Sequence, residues 1–199
     1  MRPMTRLGIA VSTLALAGGA LFAVRAGTVK TRLVDIDGRE LVLGFHLPGA
    51  LVGLNAIHPE SYPCDAIALD AIEVCRFSFP ALAVLATRMP GIQQELFRRL
   101  SKDIGSAARL AGDYSADERL AAFLVDLGRR HAERGFPANA LHLAMSRGDI
   151  ANYLRLAAET VSRVLRRFQD HGLILVEGRD VAIAKPAELF ALARPILQR

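Results

Sequence analysis

Cysteine is scarce in this chain, with two residues among 199, Cys64 and Cys75, and no C-x-x-C pair. That argues against a disulfide scaffold and for a cytoplasmic setting. The five histidines are scattered, without the spacing of a metal-ligand set. No H-E-x-x-H, no phosphate-cradling glycine loop and no paired nucleophile and base occur, so no catalytic activity is expected. Internal repeats and low-complexity tracts are also missing. An apolar content of 52% excludes a disordered chain and is enough to fill packed cores.

The charge that is present is unevenly placed. The net charge is +5, yet Arg155, Arg163, Arg166, Arg167 and Arg179 crowd one short stretch with few acids. A basic face on a short helix is the footprint of phosphate binding, although a solvated surface would look similar. Residues 7–24 carry no charge at all. Alone they read as a secretory signal or a marginal membrane span. Gly18-Gly19 interrupts them, however, and Leu21-Phe22-Ala23-Val24 leads straight into a strand pattern, so a buried strand and turn is the preferred reading, with no membrane partner.

Residues 20–86 show short alternating or apolar runs broken by Asp37-Gly38, Pro48-Gly49 and Tyr62-Pro63. Val29–Ile36 and Arg39–Phe45 around Asp37-Gly38 read as a hairpin, and Ala66–Phe77 as one or two further strands, together a β-roll. From Met89 the period changes. Ile92, Leu96, Leu100, Ile104, Ala108 and Ala111 recur at intervals of three and four, the seam of a long amphipathic helix that either packs on its own barrel or forms a dimer interface. Ser115-Ala-Asp-Glu118 is a capping box opening a helix over Arg119–Glu133, and Ser146-Arg-Gly-Asp149 is a second such start. Ile150–Leu154, a turn, and Ala158–His171 make a helix-turn-helix. Leu173–Val176 and Val181–Ala184 around Glu177-Gly178 make a wing. The expected class is α+β, with a partial β-roll over 1–86, a dimerisation helix over 87–112 and a winged helix-turn-helix over 113–199.

The stretch LAMSRGDIANYLRLAAETVSRVLRRFQDHGLI resembles the helix-turn-helix of Crp/Fnr-family bacterial regulators, and within that family the Fnr-like branch. ADERLAAFLVDLGRRHAERGF resembles the branch's preceding helix, and VRAGTVKTR, LVLGFHLPG, LVGLNAI and IALDAIEVCRF its cyclic-nucleotide-binding-like effector barrel. The resemblance implies a homodimeric transcription factor that binds double-stranded DNA and works with RNA polymerase. Glu159, Ser162 and Arg163 match the E-x-x-S-R trio that reads a TTGAT-type half-site. They stand at i, i+3 and i+4, hence on one face, although a plain Glu159–Arg163 salt bridge would need the same spacing. Ser146, Arg147, Arg166 and Arg167 are the candidate phosphate contacts. Ala157 stands where relatives carry Thr or Ser, so the recognition helix lacks a side-chain N-cap, a loss of about 1 kcal/mol.

For the sensor half the resemblance implies less. Cys75 matches the internal cysteine of the oxygen-labile 4Fe–4S cluster of Fnr-type proteins. No cysteine precedes Cys64, so a cluster would require further cysteines upstream, and Cys75 is otherwise a core residue or a redox thiol. The cyclic-nucleotide pocket of Crp-like relatives uses a Gly-Glu pair and an arginine. Here Gly49–Gly53 and Tyr62–Ala68 supply neither, so this ligand is not expected. The chain also looks short at its start against the family. Beside the homodimeric regulator stands a second reading, a truncated interaction protein that heterodimerises with full-length relatives.

Overall fold

The computed structural model describes residues 6–7, 20–57, 62–110 and 112–197. Most of the charge-free run, at 8–19, lies outside these, as does Ala111; of Ala108 only the backbone is described. The chain divides into two compact units, Met1–Ala107 and Ala108–Arg199.

The first unit is built from two sheets. One has the order β1 (Arg6–Leu7), β7 (Ile72–Ser78), β2 (Ala20–Ala26) and β5 (Leu51–Val52); the other runs β4 (Glu40–His46), β3 (Val29–Val34), β6 (Asp65–Ala68). All pairings are antiparallel. The expected strand at Leu21–Val24 is therefore present, and its Leu21 and Val24 are each 1% exposed. Phe22, Val24, Val29, Val52, Ala66 and Ile72 close the core. The expected hairpin is β3–β4. Its tip is closed by the Asp35 carboxylate, which accepts from the amides of Asp37 (2.9 Å) and Arg39 (2.8 Å), with Gly38 at φ +79°.

The charged groups on β3 are paired across the sheet. Lys30 and Arg32 on β3 both donate to Glu40 of β4, each at 2.8 Å, and Arg32 also stands 3.5 Å from Asp65. Burial alone would raise the Glu40 pKa, but the bonds from Lys30 and Arg32 outweigh it and hold the carboxyl below its ordinary value. At the other end of β3, the Asp70 carboxylate accepts from the Thr28 amide at 2.6 Å. This docks the β6–β7 turn against Gly27, which has φ +76° and no room for a Cβ beside the Ala71 carbonyl.

Helix α1 (Phe79–Arg88) follows β7 directly, where the sequence reading places the end of the roll. Its stretch FPALAVLATR is almost uniformly apolar and shows no period, while Pro80 supplies a ready helix start. Helix α2 (Pro90–Leu110) is the long amphipathic helix. Glu95 accepts two bonds from Arg98 and one from Arg99, all at 2.7 Å, and these hold its pKa down at about 2. Arg99 also reaches the Gly49 carbonyl at 2.7 Å, fixing the helix to the loop between β4 and β5.

The second unit is mainly helical. Helix α3 (Ala116–Ala132) starts at the expected capping box: the Glu118 amide donates to Ser115 Oγ, and the Ser115 amide donates to Glu118. Leu120, Leu124 and Leu127 are 1% exposed or less. They form the hub on which α4 (Arg147–Leu154), α5 (Ala158–Asp170) and α6 (Pro186–Leu197) gather, with a three-stranded sheet β8 (Ala140–His142), β10 (Asp180–Ile183), β9 (Ile174–Glu177) beside them. Helix α6, absent from the sequence reading, buries Leu189, Ala193 and Ile196 against α3. Among the described residues no helix is long and apolar enough to cross a membrane.

Gly27→Ala is expected to cost about 1–3 kcal/mol, from a strained φ and a collision with the Ala71 carbonyl. A lower urea midpoint of the barrel, followed by intrinsic tyrosine fluorescence, is the measurement; an unchanged midpoint would show that the turn relaxes freely.

Candidate nucleic-acid interface

The helix pair α4–α5 owes its geometry to its ends. Ser146 caps α4: its hydroxyl accepts from the Asp149 amide at 3.0 Å, while Asp149 Oδ2 takes the Ser146 amide at 3.1 Å. The helix stops at Arg155, whose backbone is left-handed at φ 59°, ψ 44°. For a residue with a side chain this conformation costs about 1–2 kcal/mol. Two residues later Ala157 stands at the N-cap of α5 and offers no side-chain cap, as its sequence predicts.

Within α5, Val161, Val164, Leu165 and Phe168 are all 4% exposed or less. Burying that stripe turns Glu159, Ser162, Arg163 and Arg166 to solvent. Glu159 stands in the first turn, where the helix dipole favours a carboxylate. Glu159 and Arg163 form no ion pair; Arg163 Nη2 instead donates to Thr160 Oγ1 at 3.2 Å, and Ser162 Oγ to the Ala158 carbonyl at 3.0 Å. The Glu159 carboxylate and most of the Arg163 fork thus face solvent.

The four candidate phosphate contacts divide. Arg166 is exposed and has no polar partner among the described residues. The Ser146 hydroxyl is engaged in the cap. Arg147 is half-buried, with Nη2 3.3 Å from the Gly178 carbonyl of the wing turn and Nη1 buried without a partner. Burial lowers its pKa below the ordinary arginine value. Arg167 is paired with Asp117 in the first turn of α3. In the wing, Arg179 Nη1 reaches the Ala144 carbonyl at 3.4 Å, and His142 Nδ1 meets Asp180 Oδ1 at 2.7 Å.

One organising residue has no sequence signal beyond its place after the capping box. Arg119 donates through Nε to the Tyr114 carbonyl (3.0 Å), through Nη2 to Gly112 (2.7 Å) and through Nη1 to Leu154 (3.2 Å). One planar fork thereby joins the segment before α3 to the last carbonyl of α4.

In the first unit, Ile92, Leu96 and Leu100 of the seam are half-buried and Ile104 is 71% exposed. Phe97, which the sequence reading does not include, is 59% exposed; Phe97, Leu100 and Ile104 stand at i, i+3 and i+7 on one stripe. Cys75 is half-buried in β7 opposite Ala23, and both cysteines are free thiols. Cys64 accepts from Asn55 Nδ2 at 3.1 Å, and burial raises its pKa. Two thiols in the sequence do not fit a four-thiolate cluster. On β3 the cations Lys30 and Arg32 face Glu40 and Asp65.

Comparison with known proteins places both halves. The Crp-like helix-turn-helix domain matches residues 118–192 and the cyclic nucleotide-binding domain residues 16–88. The transcriptional activator protein anr of Pseudomonas aeruginosa is 46% identical over 178 residues, covering 88% of this chain and 73% of its own length. The fumarate and nitrate reduction regulatory protein of Salmonella typhi is 42% identical over 177 residues, covering 87% and 71%. Among solved structures, FixK2 from Bradyrhizobium japonicum superposes with a TM-score of 0.79 at 28% identity, over 92% of each chain. A CRP-family transcriptional regulator from Thermus thermophilus shares the fold, with a TM-score of 0.72 at 23% identity over 92% and 93%.

Arg119→Ala should destabilise the C-terminal unit by about 1–3 kcal/mol, because three carbonyls lose a charged donor together. Calorimetry on the full chain reads this as a downward shift of one transition; an unshifted thermogram would remove Arg119 from the framework.

Proposed function

We propose, from the premise that the chain belongs to the Crp/Fnr family of DNA-binding transcriptional regulators, that it reads TTGAT-like half-sites as a homodimer through Glu159, Ser162 and Arg163. The observation that supports this reading most is the exposed α5 face, on which Glu159 and Arg163 stand side by side without neutralising each other. An arginine fork can donate to guanine O6 and N7, a glutamate can accept from a cytosine amino group, and a serine hydroxyl can serve either role. Arg166 is the foremost phosphate contact. Arg167 joins it only by leaving Asp117, and Arg147 and Ser146 act by bracing the wing turn and capping α4, which fixes orientation without reading sequence.

The dimer is assigned to the α2 stripe of Phe97, Leu100 and Ile104, an apolar face that a second copy would cover. Two recognition helices would then meet half-sites about 10 bp apart. The protein would act in the cytoplasm, with RNA polymerase as a further partner. No cofactor is assigned to the chain: a 4Fe–4S cluster would need thiolates beyond Cys64 and Cys75.

Fluorescence anisotropy on a TTGAT-N4-ATCAA duplex and a scrambled control tests the reading. Arg163→Ala should lose about 1–3 kcal/mol on the cognate duplex and little on the control; equal losses on both would remove it from base reading. Ile104→Glu should shift sedimentation from dimer to monomer and weaken binding to the paired half-sites. A wild-type chain that sediments as a monomer would instead favour pairing with a related chain.

A further inference from the structure

We propose that Arg155 is an additional DNA-phosphate contact, placed by the turn of the helix-turn-helix rather than by the recognition helix. The proposal rests on the DNA-binding role of α4 and α5.

Three observations lead to it. Arg155 is the one residue other than glycine with positive φ among the described residues; every other left-handed position there is a glycine, from Gly27 in the barrel to Gly178 in the wing. Such a conformation, held by a long side chain where none is sterically welcome, points to a use for that side chain outside the backbone. The use is not internal. The Arg155 backbone amide closes α4 onto the Ala151 and Asn152 carbonyls, but its guanidinium is exposed and finds no hydrogen bond or ion pair among the described residues. Arg166 is alike in this, whereas Arg119, Arg147, Arg167 and Arg179 of the same unit all bond protein atoms.

Position supplies the third observation. Residues 155–157 run directly into the N-terminal end of α5, the end that enters the major groove and carries Glu159. Phosphates line the rim of that groove. A cation on the turn, outside the helix and off its reading face, meets the rim and not the base edges. Arg155 therefore adds affinity that is independent of sequence.

The test uses the full chain, Arg155→Gly and Arg155→Ala, titrated onto the cognate and scrambled duplexes between about 50 and 200 mM salt. Each Arg155 engaged should make the slope of log affinity against log salt steeper by about 0.9. Over that roughly fourfold range wild type should weaken about 3.5-fold more per protomer than either variant. Both variants should lose affinity on both duplexes alike. Melting separates charge from backbone: Arg155→Gly should melt above wild type because glycine accepts the left-handed turn, whereas Arg155→Ala should not. Unchanged salt slopes, a loss confined to the cognate duplex, or a lower melting point for Arg155→Gly would each overturn the proposal. Failure of wild type to prefer the cognate duplex would count against the half-site reading alone, since the salt slopes would still report on Arg155.

Discussion

The interface depends on the burial of one stripe of a thirteen-residue helix. Val161, Val164, Leu165 and Phe168 are removed from water in a helix that packs on α3, α4 and β9, and at about 3.6 residues per turn that fixes which side chains point the other way. At about 25 cal/mol per Å² of apolar surface, four such side chains outweigh the missing N-cap at Ala157. The uncapped start of α5 is therefore tolerated. Everything at its exposed face, from Glu159 to Arg166, is positioned by contacts on the opposite side that touch no ligand.

The two units handle charge in opposite ways. In the barrel, cations and carboxylates cancel: Lys30 and Arg32 share Glu40, and Asp65 faces Arg32. These pairs tie β3 to its neighbours β4 and β6. In the C-terminal unit the arginines outnumber their partners. Arg119 and Arg147 are turned inward as framework, while Arg155, Arg163 and Arg166 stay on the surface. One residue type thus stands both as an internal staple and as an exposed cation.

Much of this was legible in the sequence because it is local. The Ser115 and Ser146 capping boxes, the Asp37-Gly38 hairpin and the inward stripe of α5 each depend on residues within a turn or two of one another. Resemblance then supplied the fold class, and it is the ground on which the reading trio is proposed. Helices α1 and α6 escaped because FPALAVLATR and PAELFALARPIL are too uniformly apolar for a period to show, and the second has Pro195 inside it. The bonds of Arg167 to Asp117 and of Arg119 to Leu154 join residues 50 and 35 positions apart, which no spacing rule reaches. The left-handed turn at Arg155 was hidden for a different reason: sequence rules assign that geometry to glycine.

The Arg167–Asp117 pair gives the protein a counterion of its own. A guanidinium already neutralised by a tethered carboxylate does not wait for salt to screen it, and any outside anion must displace that carboxylate to reach it. The displaced Asp117 stays attached, at an effective concentration set by the fold and not by the solution. An anion met loosely leaves such a pair closed, and only one already held in place by other contacts wins the exchange.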